Sequence, residues 1–549
     1  MPNINPLTAV NTHTLPGQAH PVSPQQVRNN AGGYTFHPTA QQLLERFLIL
    51  GTYGGTYYVS EKQFTQDNVD FIRHMVQTRE EDVIETLTRI SVEGRAYRNA
   101  PVLFTLAMVF AVGKNKTLAR ETLPLVARTS THLFEFAQYV DNLSGWGRAK
   151  RRAVADWYTT KTPQNLAYQL VKYRQRNGWT HRDMLRLSHP TGLDPDLAGF
   201  ILGKPFRTLP PIVEGYLRMR DTTTAQDALT ILDNRKYQDL PWETIPTAHL
   251  TDARIWKTLF RNKQLTGQAL LRNVTRLAKL GTFADNEFRE EYIAALTNRT
   301  MIQKTRLHPI NYLNAAVAYT EGTLNRRTSH FFTTERTQEW DVHEDLADAL
   351  TEGFHAAFTT IQPAGKRTLI ALDVSSSMEQ PALGIDLSCA QVGAAVAMTV
   401  AKTEPDSTIV GFTSKNIAAS TGWWVNEPSL VNLGINAATA LPEAMKKIRE
   451  QTFGGTDCAL PMMYAAQNGI PIDTFVVITD CETWAGNLHP HEALRQYRHM
   501  TGIPARLAVL GVASNGFTIA DPDDAGMLDV VGFDADCPKI LTDFSAKKI

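Results

Sequence analysis

The chain holds 549 residues, 43% hydrophobic and 20% charged, with 55 Lys and Arg against 55 Asp and Glu. That length exceeds one ordinary core and predicts about two to four domains, while the composition excludes the disordered and collagen-like classes. No apolar run reaches the roughly 18–20 residues that span a bilayer, and the start lacks a basic segment followed by an apolar block, so a cytoplasmic protein without membrane contact is expected.

The zero net charge averages two unequal parts. Residues 1–365 carry 42 basic and 35 acidic side chains, whereas from Lys366 onward there are 13 basic and 20 acidic. So modest an excess points to a polyanion partner only where the cations cluster. The four cysteines (Cys389, Cys458, Cys481 and Cys537) form no CxxC pair and no metal-ligand spacing, which fits reduced, buried thiols.

In chain order, residues 1–33 come first. They hold Pro2, Pro6, Pro16, Pro21 and Pro24 among Asn, Thr and Gln and end in Ala31-Gly32-Gly33, a composition that predicts an extended or mobile arm. The segment 34–362 reads as one amphipathic helix after another, with helices expected over 38–50, 80–90, 101–112, 163–177, 267–280 and 344–361. Short linkers between them predict stacked helical hairpins of the HEAT-repeat kind, at about 40 residues per pair. GTYGGTYY at 51–58 lacks the GK[ST] ending and preceding strand of a phosphate loop and reads as a plain turn.

Cations cluster twice in this helical part. Thr162 and Pro163 open the helix expected over 163–177, whose apolar face carries Leu166, Ala167, Leu170 and Val171, with Lys172 and Arg176 together on the far side. Gly178 stops that helix, Thr180 to Asp183 resembles a capping box, and Arg182, Arg186 and His189 follow at helical spacing. Just upstream, Gly147 to Arg152 reads GRAKRR, placing Arg148 and Arg152 one turn apart. A solvated helix face and a phosphate-binding surface both account for such rows. A DNA-reading helix-turn-helix is disfavoured, because the hairpin is embedded in a long array and its second helix spends Met184, Leu185 and Leu187 on packing. Recognition of folded RNA by shape and phosphates is the better physical match.

Gln362 to Gly365 ends the helical part. Beyond it, β-branched apolar runs at 367–374, 407–413, 474–479 and 505–511 alternate with helices expected over 389–403 and 438–450, which predicts a doubly wound α/β domain with a parallel sheet over 366–549. Ligands of such folds sit at the carboxyl ends of the strands. Three loops there carry oxygen donors: Asp373, Ser375 and Ser377 in a D-x-S-x-S turn, Thr456 after Gly454-Gly455, and Asp480 at the end of TFVVIT. A set without sulfur or imidazole suits a hard cation such as Mg²⁺ or another divalent ion. The three parts together match the metal-ion-dependent adhesion site (MIDAS) of von Willebrand factor A domains. By that resemblance Ser375, Ser377 and Thr456 supply hydroxyl ligands, Asp373 and Asp480 contact the metal directly or through water, and one position is left for a partner's carboxylate.

Longer stretches carry a second resemblance: GGTYYV (54–59), GWGRAKRRAVADWY (145–158), KYRQRNGWTHRDMLRLSH (172–189), TRLHP (305–309), ALDVSSSM (371–378), GGTDCALPM (454–462), VITDCETWAG (477–486) and SNGFTIADPDD (514–524). By these the chain resembles the Ro autoantigen family of TROVE-domain RNA-binding proteins, and the arm's character favours a bacterial Ro-sixty-related member. The resemblance implies a monomeric, non-enzymatic protein, with an all-α ring of HEAT-like helices followed by a Rossmann-like von Willebrand factor A domain. It further implies Y RNA on the outer surface and single-stranded ends of misfolded or precursor RNA through the hole. Its other implied partner is polynucleotide phosphorylase or another exoribonuclease, in RNA quality control and decay. Carried over by motif, Lys172, Arg176 and His189 are expected RNA contacts, supported by Arg182 and Arg186, with Arg148 and Arg152 added from their cluster. A metal-dependent protein-interaction scaffold without an RNA role stays open, as does a Mg²⁺-dependent nuclease.

Overall fold

A computed structural model of the chain describes residues 17–52, 61–305, 307–322, 339–358, 361–382, 385–418, 424–451, 454–513 and 515–549. Most of the turn expected at 51–58 lies outside them, as do residues 359 and 360; the helix expected to reach 361 ends at Ala356.

The expected helical part is a stack. Helices Ala40–Leu50, Glu80–Glu93, Ala100–Val112, Gln268–Lys279 and Glu344–Ala356 stand within a few residues of the periodicity that predicted them. Their ends follow local chemistry. Thr39 and Gln42 cap the first reciprocally, and Gly94, in the left-handed region, ends the second. Neighbours in space are second neighbours in sequence: Ala100–Val112 packs on Ser130–Leu143, and Lys116–Val126 on Arg148–Thr159. Each helix therefore buries its stripe between two others, as in a repeat array. Ala100–Val112 is apolar nearly all round and accordingly sits in the interior.

The helix expected over 163–177 stops early, at Lys172. Residues β3 (Gln175–Arg176) and β4 (Trp179–Thr180) pair as a small antiparallel hairpin. The sequence Asn177-Gly178 supplies the two positive φ angles, 52° and 80°, of a two-residue hairpin turn. Arg176 is thus on a strand and not on the helical face of Lys172. The capping box of Thr180 and Asp183 does form and opens helix His181–Ser188.

The arm departs from expectation as well. Its residues 1–16 lie outside the described part, but residues 17–36 are seated on the α/β domain. Strands β1 (Gln26–Arg28) and β2 (Tyr34–Phe36) form a hairpin, and Phe36 bridges to Thr518. The buried Gln18 amide donates to Asp457 at 2.7 Å and accepts from the Thr483 hydroxyl at 2.6 Å. The Asn30 backbone and side-chain N–H groups both donate to the Glu482 carboxylate at 2.8 Å. Gly33 permits the approach, since a Cβ there would lie 2.0 Å from the Thr483 carbonyl oxygen. Polar composition suggested mobility, but these polar groups are satisfied by a distant partner.

Strands β5 (Thr368–Asp373), β6 (Ser407–Ala418), β7 (Trp424–Val431), β8 (Thr474–Thr479), β9 (Arg506–Gly511) and β10 (Met527–Val531) form one sheet in the order β10-β9-β8-β5-β6-β7. The two central strands, β5 and β8, are buried throughout. The sheet is parallel except at β7, which runs antiparallel to β6 and corrects the expectation of a purely parallel sheet. Only residues 419–423 separate β6 from β7, too few for the crossover that a parallel pair requires.

Both ends of the helical stack meet this domain. Arg46 of helix Ala40–Leu50 pairs with Asp529 at 2.7 Å, and Arg95 pairs with Asp534 at 3.1 Å. At the other end, helix Pro309–Thr320 packs on Leu441–Arg449, beside an ion pair of Arg449 with Glu321. The stack is thereby closed into a ring by the α/β domain.

Candidate functional site

The two basic clusters are neighbours in space. Helix Arg148–Thr159 packs against His181–Ser188, where the Tyr158 hydroxyl meets His181 Nδ1 at 2.7 Å. The Trp146 and Trp179 rings pack edge to face at 5.7 Å beside them. Arg148, Arg151, Arg152, Arg186 and His189 are exposed, and none is ion-paired among the described residues. His189, with φ 45°, is the C-cap of its helix. Arg182 is exposed but donates one N–H to the Leu202 carbonyl at 2.9 Å.

Two other cations are already engaged. Lys172 donates to the Tyr168 hydroxyl at 3.0 Å and lies 3.7 Å from Glu243, with its side chain 18% exposed. Lys150 is buried and ties the loop before its helix, through Ser144 Oγ at 2.6 Å and the Gly145 carbonyl at 2.7 Å.

His181 holds this surface together. Its Nε2 meets the Tyr173 carbonyl at 2.9 Å, so the neutral ring donates there and accepts from Tyr158. Burial pushes its pKa down to about 4. A histidine kept neutral by folding contributes stability above its ordinary pKa near 6.5, and loses it as pH falls toward the folded value. The fall in stability between pH 6.5 and 4 is therefore expected to be shallower for His181→Gln than for wild type, measured by urea unfolding across that range.

A cavity of about 850 Å³ opens between the two sides of the ring. One wall carries Tyr97, Arg98, His132 and Glu135 with Arg176 of β3, and the other Gln268, Arg272, Asn311 and Asn314. Three arginines against one glutamate make the lining basic, and Arg176, 57% exposed, stands 3.8 Å from Glu135. Burial and Arg128 hold the His132 pKa down to about 4, so it adds no charge near neutrality. The Asn314 side-chain carbonyl is buried with no hydrogen-bond partner among the described residues. Arg176 therefore lines this cavity. Arg98, Arg272, Asn311 and Asn314 escaped sequence reasoning because they converge only when the ring closes.

In the α/β domain Asp373, Ser375, Ser377 and Asp480 stand at or just beyond the adjoining ends of β5 and β8, and Thr456 lies in the nearby loop whose Gly454 carbonyl accepts the Ser376 N–H at 3.1 Å. Asp373, Ser375, Ser377, Thr456 and Asp480 are all at most 3% exposed. Ser375 Oγ and Ser377 Oγ lie 3.2 Å apart. Asp373 is oriented by the Ser375 N–H at 2.9 Å and the Thr479 hydroxyl at 2.6 Å. The Thr456 loop is fixed by the Trp484 and Ala485 N–H groups, which donate to its carbonyl. Burial and the nearby Asp480 charge raise the Asp373 pKa, and burial also raises that of Asp480. Two buried carboxylates in so dry a place have no cationic partner among the described residues, and a cation among them would supply it. No cluster of three or more His, Cys, Asp and Glu occurs among the described residues, so the set depends on hydroxyl oxygens and fits a hard divalent ion.

A helical repeat ring closed by an α/β domain is the class of protein that the fold defines. Residues 27–207 and 237–374 match the family described as TROVE domain, and residues 367–545 match the family described as Ro60 vWA domain. The chain belongs to this Ro60-type, TROVE-domain family. The RNA-binding protein RO60 of Deinococcus radiodurans is 36% identical over 99% of this chain and 100% of that protein. The RNA-binding protein RO60 of Caenorhabditis elegans is 30% identical over 97% of this chain and 92% of that protein. The crystal structure of the Deinococcus radiodurans RO (RSR) protein matches with a TM-score of 0.65 at 34% identity, covering 93% of this chain and all of that one. No helix among the described residues is long and apolar enough to cross a membrane.

Proposed function

We propose that this protein is a non-enzymatic RNA-binding ring that holds a small structured RNA, of the Y RNA kind, on the exposed face of Arg148–Thr159 and His181–His189. Single-stranded ends of misfolded or precursor RNA enter the arginine-lined cavity. The observation that carries this is the packing of two cation rows on one another beside that cavity, with the arginines of the rows unpaired among the described residues. Exposed arginines that neutralise no carboxylate of their own chain are free to neutralise phosphates. The names of the relatives, both RNA-binding proteins, support the same reading.

The geometry supports a division of labour. Arg148, Arg152, Arg186 and His189 grip a folded RNA by its backbone, whereas Arg98, Arg176 and Arg272 line a passage suited to an unpaired strand. Lys172 contributes once RNA displaces Glu243. Delivery of the threaded end to an exoribonuclease such as polynucleotide phosphorylase gives the ring its place in RNA quality control and decay, in the cytoplasm. Mg²⁺ or another divalent ion would be held by Asp373, Ser375, Ser377, Thr456 and Asp480. When bound it supplies a coordination position for the carboxylate of a partner protein.

Changing Arg148, Arg152 and Arg186 together to alanine is expected to weaken binding of a hairpin RNA at least tenfold. The slope of log affinity against log salt should also fall by about 0.7–0.9 for each phosphate that the variant no longer neutralises. Gel-shift titrations at several salt concentrations check both. Unchanged affinity would remove RNA from this face and leave the metal-site domain as a protein-interaction module.

A further inference from the structure

Beside the basic helices stands a loop that no role so far described absorbs. Residues 203–208 read GKPFRT and are all exposed, and Phe206 shows 42% of its surface. A phenylalanine this open stabilises little by burial. The loop is nevertheless built to one shape. Asp196 accepts the N–H groups of Arg207 at 2.9 Å and Thr208 at 3.1 Å. The Lys204 N–H donates to the Gly199 carbonyl at 2.8 Å, and Gly203 turns in the left-handed region with φ 70°.

The loop is also tied to the basic surface. Arg182 donates to Leu202 at its base, and its guanidinium lies so close to Gly203 that a Cβ there would meet it at 2.6 Å. Phe206 follows three residues later, within about 11 Å of that anchor at full extension. Lys204 and Arg207 stand two residues before and one after Phe206 in the chain, and neither forms a salt bridge among the described residues, although Arg207 is within electrostatic reach of Asp196. An exposed aromatic residue with exposed cations before and after it in the chain, on a fixed loop at the rim of a cationic surface, matches the chemistry of an unpaired nucleotide. The base has a π-face to stack, and the adjoining phosphates need positive charge.

We infer that Phe206 is a stacking platform for one unpaired base of the RNA held on the neighbouring helices, with Lys204 and Arg207 on its flanking phosphates. This rests on the RNA-binding reading above and adds to it a preference for RNA with splayed-out bases over continuous duplex.

The test uses the full chain and two RNA probes: a continuous duplex, and a hairpin of the same stem with a purine-rich single-stranded loop containing 2-aminopurine. Phe206→Ala is expected to weaken the looped probe about tenfold, the size of one base–aromatic stack, to abolish quenching of 2-aminopurine, and to leave duplex binding unchanged. Phe206→Tyr should restore both properties, whereas Phe206→Leu should not. Equal binding of both probes by wild type and Phe206→Ala overturns the stacking platform, as does equal rescue by leucine. If wild type binds neither probe, the RNA-binding reading falls and this inference with it; if only the arginine variants lose affinity, this inference alone falls.

Discussion

Arg46→Ala is expected to cost about 3–5 kcal/mol, because it removes one member of a buried ion pair and strands the other. The Arg46 guanidinium is wholly buried, reaching both Asp529 oxygens at 2.7 and 2.8 Å and the Phe517 carbonyl at 2.8 Å. Asp529 is itself only 4% exposed at its side chain, so water cannot replace the lost partner. The pair joins the first described α-helix of the ring to β10, and its loss should loosen the closure more than either domain alone. Thermal unfolding followed by fluorescence should show a clearly lowered midpoint, with proteolysis appearing first between the helical part and the α/β domain. The double change Arg46→Met with Asp529→Leu should recover part of the loss, since it leaves no uncompensated charge. A midpoint equal to wild type in the single variant would show that closure does not depend on this pair.

Asp373→Ala is expected to abolish divalent-ion binding. Wild type should gain about 2.7 kcal/mol of stability in Mg²⁺ or Mn²⁺ at a hundredfold excess over the dissociation constant, and the variant none. Without added ion the variant should unfold close to wild type, because it removes a carboxylate whose pKa is raised by burial and by the nearby Asp480 charge, while costing the Thr479 hydroxyl its acceptor. Titration calorimetry on the full chain, with thermal shifts alongside, separates the two effects. Equal ion-induced shifts in both proteins would place the ion elsewhere.

Much of the architecture was legible where periodicity and capping agreed. Ser388 and Gln391 cap helix Cys389–Thr403 reciprocally, and its bounds coincide with those expected from apolar spacing. Two of the candidate metal-site residues could be placed from sequence order, Asp373 at the end of β5 and Asp480 directly after β8, because the doubly wound topology sets the ends of these neighbouring strands side by side, whereas Thr456 lies in a loop between two helices. Failures came where a distant or a rival local signal won. Asn177-Gly178 is a strong hairpin signal that overrode the helical pattern through Arg176. Gln18 and Asn30 look like residues of a mobile arm until Asp457 and Glu482, more than 400 positions away, accept their hydrogen bonds. The cavity was invisible for the same reason, since Arg98 and Arg272 meet only across a closed ring.

The seam between Arg46 and Asp529 also imposes a timetable on biosynthesis. The two residues lie 483 positions apart, so at about 5–20 residues per second a ribosome needs roughly half a minute or more to supply the aspartate after the arginine. Throughout that interval the nascent helix keeps its guanidinium in water, and the residues that seat on the 480s loop wait with it. Closure is therefore among the last events of folding, and chains that lose their final 25 or so residues would emerge as open arcs with a charged, unsatisfied lip.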